Sequence, residues 1–253
     1  MARSRSGRAG KASKRVASGG PLRRFAAAAL RPALRWLRRA ALLFVGLVAF
    51  FVGLYAFVNP PGGLYQAAEA RRLGGIERQW VPLEAVAPVA ARAAVAAEDA
   101  NFCMHWGLDL DAIRAALSEG GQRGASTITQ QVVKNVYLWH GRSWSRKALE
   151  ALLTPAVELV WSKRRILEVY LNVAEFDAGV FGIEAAARHY FGVSADALTP
   201  LQSARLAALL PDPKGRDAAA PSAFVTRRAA AILDGAATIA ADGRADCFQN
   251  APD

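Results

Sequence analysis

Two adjacent carboxylates, Glu98 and Asp99, end an alanine-rich stretch that is predicted to be helical. Acidic side chains at the C-terminal end of a helix oppose its dipole, so local helix stability does not account for this pair. One interpretation is a solvated helix end followed by a polar turn. The other is a carboxylate held for proton transfer and oriented by neighbours such as His105. These residues alone leave both interpretations open.

A second candidate group begins at Ser126 and Thr127, where small residues lead into a predicted helix. Gln130 lies three residues after Thr127, as in a capping box, and Lys134 lies four residues after Gln130 on one helical face. Free N–H groups at a helix N-terminus, with hydroxyls and a lysine nearby, favour an anion such as phosphate. An ordinary capped amphipathic helix explains the same pattern. A P-loop does not, because its lysine would precede the Ser/Thr.

A third group consists of Arg146, Lys147 and Glu150, which are spaced to share one face of a helix. Taken alone, they form an ordinary surface ion pair. Together with the other groups, they supply a second carboxylate among cations that are able to bind diphosphate. Two carboxylates, Glu98 and Glu150, suit chemistry at an anomeric carbon. The cations suit a phosphate leaving group rather than attack of water on a sugar polymer.

The elements that must position these residues are predicted to be almost entirely helical. Helices are expected near 86–98, 109–119, 127–139, 144–161, 163–172, 182–190, 200–210 and 222–241. No convincing alternating strand pattern occurs, so the fold class is mainly α. Pro155 is predicted to kink or split its helix. Residues 59–85, which are rich in proline and glycine, are predicted to be a linker and entry segment before a catalytic domain at 86–253.

The N-terminal part of the chain is predicted to be a membrane anchor with a basic tail. Residues 1–39 hold 12 of the 32 lysines and arginines and no acid, which leaves 20 basic and 21 acidic residues in the remainder. Residues 40–58 are uncharged and long enough to cross a bilayer as one transmembrane helix. A cleaved signal peptide and a buried core helix are the alternatives. The basic flank predicts a cytoplasmic tail and an external domain.

This charge distribution also bears on the substrate. The near-neutral domain is not expected to bind nucleic acid. An anchored external site with carboxylates and cations instead favours transfer of a sugar from a lipid-linked diphosphate.

Cysteine and histidine are scarce. Cys103 and Cys247 are the two cysteines, and an oxidising compartment would permit a bridge, but the sequence leaves their pairing open. Their spacing matches no zinc motif, and no metal site is assigned. Acids and phosphates could bind a divalent cation such as Mg²⁺ or Mn²⁺ at the diphosphate, although no dedicated ligand cluster is visible.

Five ordered motifs resemble those of the peptidoglycan glycosyltransferases (glycosyltransferase family 51) over about residues 60–215. In chain order they are Glu98-Asp99-x-x-Phe102-x-x-His105-x-Gly107-x-Asp109, Gly124 to Asn135, Arg146-Lys147-x-x-Glu150, Lys163 to Asn172 and Gly179 to Ala187. The short chain, single anchor and run Asn172 to Phe176 look most like the monofunctional biosynthetic transglycosylase branch.

The resemblance implies a lysozyme-like domain that polymerises lipid II at the cell inner membrane, with inversion at the anomeric carbon. By carry-over, Glu98 is the general base on the acceptor 4-hydroxyl, and Glu150 assists at the donor diphosphate directly or through a cation. The substrate-binding residues implied are Lys134, Arg146, Lys147, Ser126, Thr127, Gln130, Gln131 and, less securely, Arg114. Asp99, Phe102 and His105 are expected to form the scaffold of the cleft. Implied partners are lipid II, the growing strand, membrane lipid, and division or elongation proteins.

Some features depart from the family pattern. Ala125 replaces a glycine, and Asp177 stands where glycine is common, so each could alter the backbone conformation. Neither Ser-x-x-Lys nor Lys-Thr-Gly occurs, and the length leaves no room for a transpeptidase domain. A lytic hydrolase and a non-catalytic scaffold of the division machinery are the alternatives from other functional classes.

Overall fold

A computed structural model describes residues 21–118, 126–141 and 143–250. The predictions made for the tail before residue 21 and for Gly124 and Ala125 fall outside these ranges. The chain divides into two units, Met1–Phe50 and Phe51–Asp253. Helix α1 runs from Pro21 to Tyr55, so it begins before the predicted anchor (40–58) and ends three residues before the anchor's predicted end. Within α1, Leu34–Tyr55 is long and apolar enough to cross a membrane, with a mean hydropathy of 2.0.

The second unit starts in the last turn of α1. Hydrogen bonds join this turn to the rest of the unit. The Trp161 indole donates to the carbonyl of Val52 at 2.7 Å, and Arg165 donates to the carbonyls of Tyr55 and Val58 at 3.1 and 2.9 Å. The last carbonyls of a helix have no partner within it and need donors from elsewhere. Trp161 and Arg165 therefore complete the C-terminal end of α1.

Residues 59–85 contain more regular structure than the predicted linker. Helix α2 spans Leu64–Leu73 and ends at Gly74, whose left-handed conformation is the usual end of a helix. Its buried residues, Gln66 and Glu69, are polar, so the sequence lacks the apolar stripe that would have predicted it. Gly63 precedes α2 in close contact with the backbone of Asn135, where a Cβ would lie 1.7 Å from the carbonyl oxygen.

A small three-stranded sheet was not predicted. Strand β1 (Glu77–Arg78) pairs parallel to β3 (Val180–Phe181), and β2 (Glu175–Asp177) pairs antiparallel to β3, giving the order β1-β3-β2. Strands of two or three residues are too short to show alternation in a sequence. The sequence therefore shows no sign of these strands, and the predicted mainly helical class is confirmed.

The predicted helices of the catalytic domain are present with small shifts at their ends. They are α3 (Pro88–Glu98), α4 (Leu110–Ser118), α5 (Ile128–Tyr137), α6 (Trp144–Val160), α7 (Lys163–Val173), α8 (Ile183–Phe191), α9 (Pro200–Leu209) and α10 (Ala223–Ala241). A further short helix, α11 (Asp246–Gln249), was not predicted. Helix α6 is continuous through Pro155, so of the two predicted effects of this proline the split does not occur, while the kink stays a prediction.

Helices α3, α9 and α10 pack together through small side chains. Ala93, Ala204 and Ala208 are fully buried at this contact, together with Val225 of α10. Alanines let the helix backbones approach closely while still removing apolar surface from water. This packing fixes α3, and with it the position of Glu98 at the end of that helix.

Candidate active site

Glu98 is the last residue of α3 and is half-buried. The Gln131 side chain donates a hydrogen bond from Nε2 to Glu98 Oε2 at 2.8 Å. Burial raises the pKa of Glu98, and the Gln131 hydrogen bond and the charges of Arg228 and Lys134 offset part of that rise. A carboxylate with a raised pKa is a stronger base than an ordinary surface glutamate.

Asp99 has a different role from its neighbour. Its Oδ2 accepts a hydrogen bond from the backbone N–H of Ile128 at 3.0 Å, and its Oδ1 lies 2.8 Å from His105 Nε2. The Gly107 N–H donates to His105 Nδ1 at 3.1 Å, which assigns the ring proton to Nε2, facing Asp99. Asp99 therefore supplies the negative charge at the N-terminus of α5. The expectation that this helix end is free to bind phosphate needs correction.

Thr127 and Gln130 form the predicted capping box, and both are buried. The Thr127 side chain accepts from the Gln130 N–H, the Gln130 side chain accepts from the Thr127 N–H, and Thr127 Oγ1 donates to the carbonyl of Gly107 at 2.6 Å. These bonds hold the start of α5 against the loop after Glu98. A role of Thr127 and Gln130 in positioning the donor stays a prediction.

Gly107 is required where the loop meets α6. Its φ is +80°, and a Cβ at this position would lie 2.5 Å from Thr154 Cγ2 and 2.9 Å from Glu158 Cγ. Any side chain would add both left-handed strain and a steric clash.

Glu150 lies between two cations, with 3% of its side chain exposed. Arg146 Nη1 donates to one carboxylate oxygen at 2.5 Å, and Lys147 Nζ donates to the other at 2.5 Å. Lys147 also donates to the exposed Ser126 Oγ at 3.1 Å. The structure therefore brings Ser126, Arg146, Lys147 and Glu150 together, whereas the isolated spacing had also allowed an ordinary surface pair.

Lys134 links the two carboxylates electrostatically. Burial lowers its pKa, while the negative charges of Glu150 and Glu98 act in the opposite direction. Among the described residues, Lys134 makes no hydrogen bond or ion pair with a side chain. Its ammonium group thus retains hydrogen-bond donors for an anionic ligand.

The sequence did not indicate a buried network of hydrogen bonds that contacts α5. Glu158 accepts from Thr129 Oγ1 at 2.5 Å and from Lys163 Nζ at 2.8 Å, and Lys163 also donates to the His105 carbonyl at 2.7 Å. Lys163 opens the fourth motif, but nothing in its spacing indicates Glu158 as its partner. The network ties α5, α6 and α7 to the loop after Glu98.

A pocket of about 320 Å³ lies beside Gln131 and Lys134. Its opposite wall includes Tyr65, which stacks on His140 with ring centroids 3.7 Å apart and donates to Glu175 Oε2 at 2.6 Å. Lys214 reaches the Tyr65 hydroxyl at 2.9 Å. Burial and the nearby cations lower the pKa of His140 to about 4. Tyr65 and Lys214 lie outside the recognised motifs, and only the run Asn172 to Phe176 pointed to this wall.

Two other sequence expectations are resolved differently. Arg114 lies on α4 with 72% of its side chain exposed and pairs with Asp111 at 2.7 Å, so the structure does not bring it to the cluster at Glu150. Asp177 ends β2 without a left-handed conformation, since every described residue with positive φ is glycine. Asp177 therefore adopts no conformation that favours glycine, and the backbone change relative to the family pattern stays a prediction.

The arrangement provides a basic carboxylate, Glu98, and a cationic cluster around Glu150, and both carboxylates lie near Lys134. Such a site can remove a proton from an incoming hydroxyl while stabilising negative charge on a departing group. It combines both functions with a pocket large enough for part of a polar ligand.

The sequence is similar to known proteins of one family. A sequence profile of the transglycosylase family matches residues 66–237. A biosynthetic peptidoglycan transglycosylase from Jannaschia sp. is 61% identical over 216 residues, which are 85% of this chain and 90% of that protein. Proteins of the same name from Rhodospirillum centenum and Pseudomonas putida are 45% and 48% identical, and cover 85% and 78% of this chain and 96% and 87% of their own lengths.

Proposed function

The chain belongs to the transglycosylase family, and from that premise we propose that it polymerises lipid II into the glycan strands of peptidoglycan. The observation that carries the proposal is the buried Glu150 held between Arg146 and Lys147, with Lys134 close to both Glu150 and Glu98. A hydrolase has no diphosphate to bind and would gain little from these cations. A non-catalytic scaffold would need neither carboxylate.

In the proposed step, the 4-hydroxyl oxygen of lipid II attacks the anomeric carbon of the growing strand. The bond between that carbon and the phosphate oxygen breaks, the configuration inverts, and the lipid diphosphate leaves. Glu98 accepts the hydroxyl proton, and Gln131 holds its carboxylate in place. The diphosphate leaving group has a much lower proton affinity than a sugar alkoxide would have. It can therefore leave without a proton from a second acid.

Lys134, Arg146 and Lys147 neutralise the charge that develops on the departing diphosphate. Both oxygens of Glu150 are occupied by Arg146 and Lys147, so we assign Glu150 to orienting these cations rather than to contacting the substrate. Thr127 and Gln130 position α5, which carries Gln131 and Lys134. Ser126, which is exposed beside Lys147, is the hydroxyl best placed to meet a phosphate oxygen.

We assign no protein ligands to a divalent cation. Asp99, His105 and Asp109 have ligand atoms within 4.8 Å of one another, but these atoms already bind one another or backbone N–H groups. Any Mg²⁺ or Mn²⁺ would have to be held mainly by the diphosphate. The chain contains neither Ser-x-x-Lys nor Lys-Thr-Gly, and we propose activity without transpeptidation.

A surface on α6 supports contact with membrane lipid. Apart from Ser145 and the half-exposed Lys147, the exposed residues of this helix are apolar, with Trp144, Leu152 and Leu159 exposed to 91%, 72% and 76%. The charged residues of α6 lie on its less exposed side. An apolar surface of this kind is unusual in water and fits a bilayer interface. Trp161, directly after α6, bonds the last turn of α1, so the C-terminal end of α6 adjoins that turn.

The orientation can be measured with reporters. We expect a reporter that is active only outside the cytoplasm to be active when it follows Asp253 and silent when it precedes Ala40. The basic residues before Ala40 favour retention of that side in the cytoplasm. The opposite pattern would contradict both the orientation and an external substrate.

The polymerisation activity is tested with the detergent-solubilised full chain and labelled lipid II. Separation of polymer from monomer should show glycan strands, and the same reaction in EDTA reports on divalent cations. A parallel incubation with finished peptidoglycan tests the lytic alternative. Digestion of that material without strand formation from lipid II would overturn the proposal.

A further inference from the structure

We infer that the disulfide between Cys103 and Cys247 is a redox-sensitive clamp that holds the loop 99–107 in its working position. The bridge joins residues 144 apart in sequence, with Cα atoms 5.7 Å apart. One end lies in the loop that follows Glu98, and the other lies in α11 near the C-terminus. The effect on activity rests on the proposed function, whereas the effect on the loop does not.

The loop 99–107 holds the N-terminal end of α5 in place. Asp99 binds the first N–H of that helix, and Thr127 donates to the Gly107 carbonyl. Helix α5 carries Gln131, which holds Glu98, and Lys134, which lies near both carboxylates. A displacement of this loop would therefore move two site residues at once.

The loop has little regular structure of its own. One 3-10 turn, Phe102–Met104, interrupts it, and the side chains of Met104 and Trp106 are 71% and 73% exposed. Segments with few backbone hydrogen bonds and much exposed surface open locally at low free-energy cost. The loop is also attached by the fully buried Phe102, by the packing of Gly107 on α6, and by side-chain hydrogen bonds from Lys163 to the His105 carbonyl and from Arg244 to the Ala100 carbonyl.

The far end of the bridge is held by the loop, through Phe102, and also by residues outside the loop. Phe248 is fully buried with its ring centroid 6.4 Å from that of Phe102, and Arg164 donates to the Phe248 carbonyl at 3.0 Å. Gln249 donates to the Pro88 carbonyl at 3.0 Å and accepts from Arg92. Helix α11 is thus bonded to the start of α3 and the start of α7, and the disulfide links it to the loop 99–107.

Helix α11 also depends on the bridge. It has four residues, too few for a helix to persist without tertiary contacts. Breaking the bridge would weaken the contact between Phe248 and Phe102 from both sides. The loop and α11 are thus expected to loosen together.

Both cysteines are partly exposed, so a small dithiol can reach the bridge. In the reducing step, a thiolate of dithiothreitol attacks one sulfur, the Cys103–Cys247 bond breaks, and the second thiol of the reagent closes its own ring. The protein gains two electrons and two protons, and the reagent loses them. Oxidised glutathione reverses the change by the same exchange chemistry.

The clamp is tested by assaying the full chain in oxidised form, after reduction by dithiothreitol, and after reoxidation. We expect reduction to slow lipid II polymerisation by about tenfold or more, because small displacements of positioned groups cost large factors in rate. Reoxidation should restore the rate. The variant with Cys103→Ser and Cys247→Ser should be slow in all three conditions and insensitive to the reagent.

Amide hydrogen exchange separates a local clamp from general destabilisation. Reduction should increase exchange in 99–107 and at the start of α5, while α9 and α10 stay protected. Unchanged exchange in the loop, an unchanged rate after reduction, or loss of helical circular dichroism at the assay temperature would each overturn the inference. If the oxidised chain forms no polymer, the proposed function fails, and hydrogen exchange alone decides on the clamp.

Discussion

Replacing Glu98 with glutamine is expected to lower the rate of polymerisation by about 10²–10⁴-fold. Glutamine keeps the size of the side chain and can still pair with Gln131, but it cannot accept the proton of the acceptor hydroxyl. The rate is measured with labelled lipid II, beside a thermal unfolding curve for each protein. Glu84→Gln is the matched control, because Glu84 is a surface glutamate, 58% exposed and paired with Arg164.

The pH dependence of the polymerisation rate provides a second test of Glu98. Burial raises the pKa of Glu98, and only its deprotonated form can act as a base. The rate of the wild type should therefore fall as the pH drops through this raised pKa, at a higher pH than for an ordinary glutamate. The Glu98→Gln variant should lose this acidic limb. A near wild-type rate for this variant, with an intact fold, would remove Glu98 from the role.

Replacing Arg146 with alanine is expected to lower turnover by about ten- to a hundredfold. Charge-assisted contacts of this kind contribute roughly 1.5–3 kcal/mol, and they count in the rate when the diphosphate charge develops in the transition state. Lys147→Ala should have the smaller effect, because its side chain is 43% exposed against 13% for Arg146. Arg188→Ala, which removes another i,i+4 pair with a glutamate, is the control.

The Arg146→Ala and Lys147→Ala variants also separate synthesis from cleavage when each receives lipid II and finished peptidoglycan. The leaving group of a hydrolase is an uncharged sugar hydroxyl, so its rate would depend little on Arg146 or Lys147. Loss of polymer without lytic activity supports the transferase. Lytic activity of the wild type that persists in both variants would contradict it. Because both cations share Glu150, a double variant should not show the product of the two effects.

Much of the fold could be predicted because its helices follow local rules. The Thr127 and Thr199 capping boxes mark two helix starts, and both are present in the structure. Helix α2 was missed because its buried side chains, Gln66 and Glu69, are polar and bond to distant groups. The strands were missed because pairing between β1 and β3 depends on residues about a hundred positions apart.

The candidate site shows the same division between local and distant information. Arg146, Lys147 and Glu150 share a face through helical spacing alone, so their cluster could be predicted. The contact of Asp99 with Ile128, in contrast, requires knowing that α5 starts beside the end of α3. The wall formed by Tyr65, His140 and Lys214 gathers three separate segments, and no spacing rule connects them.

The bridge between Cys103 and Cys247 also changes the covalent connectivity of the protein. It closes residues 103–247 into a ring, to which the stretch that includes α1 is attached as a branch. A protease that cuts one peptide bond inside this ring opens it without releasing a fragment. Both pieces stay linked to α1, and a single nick becomes visible on a denaturing gel only after reduction. The catalytic domain is therefore protected from being shed by any single cleavage within the ring.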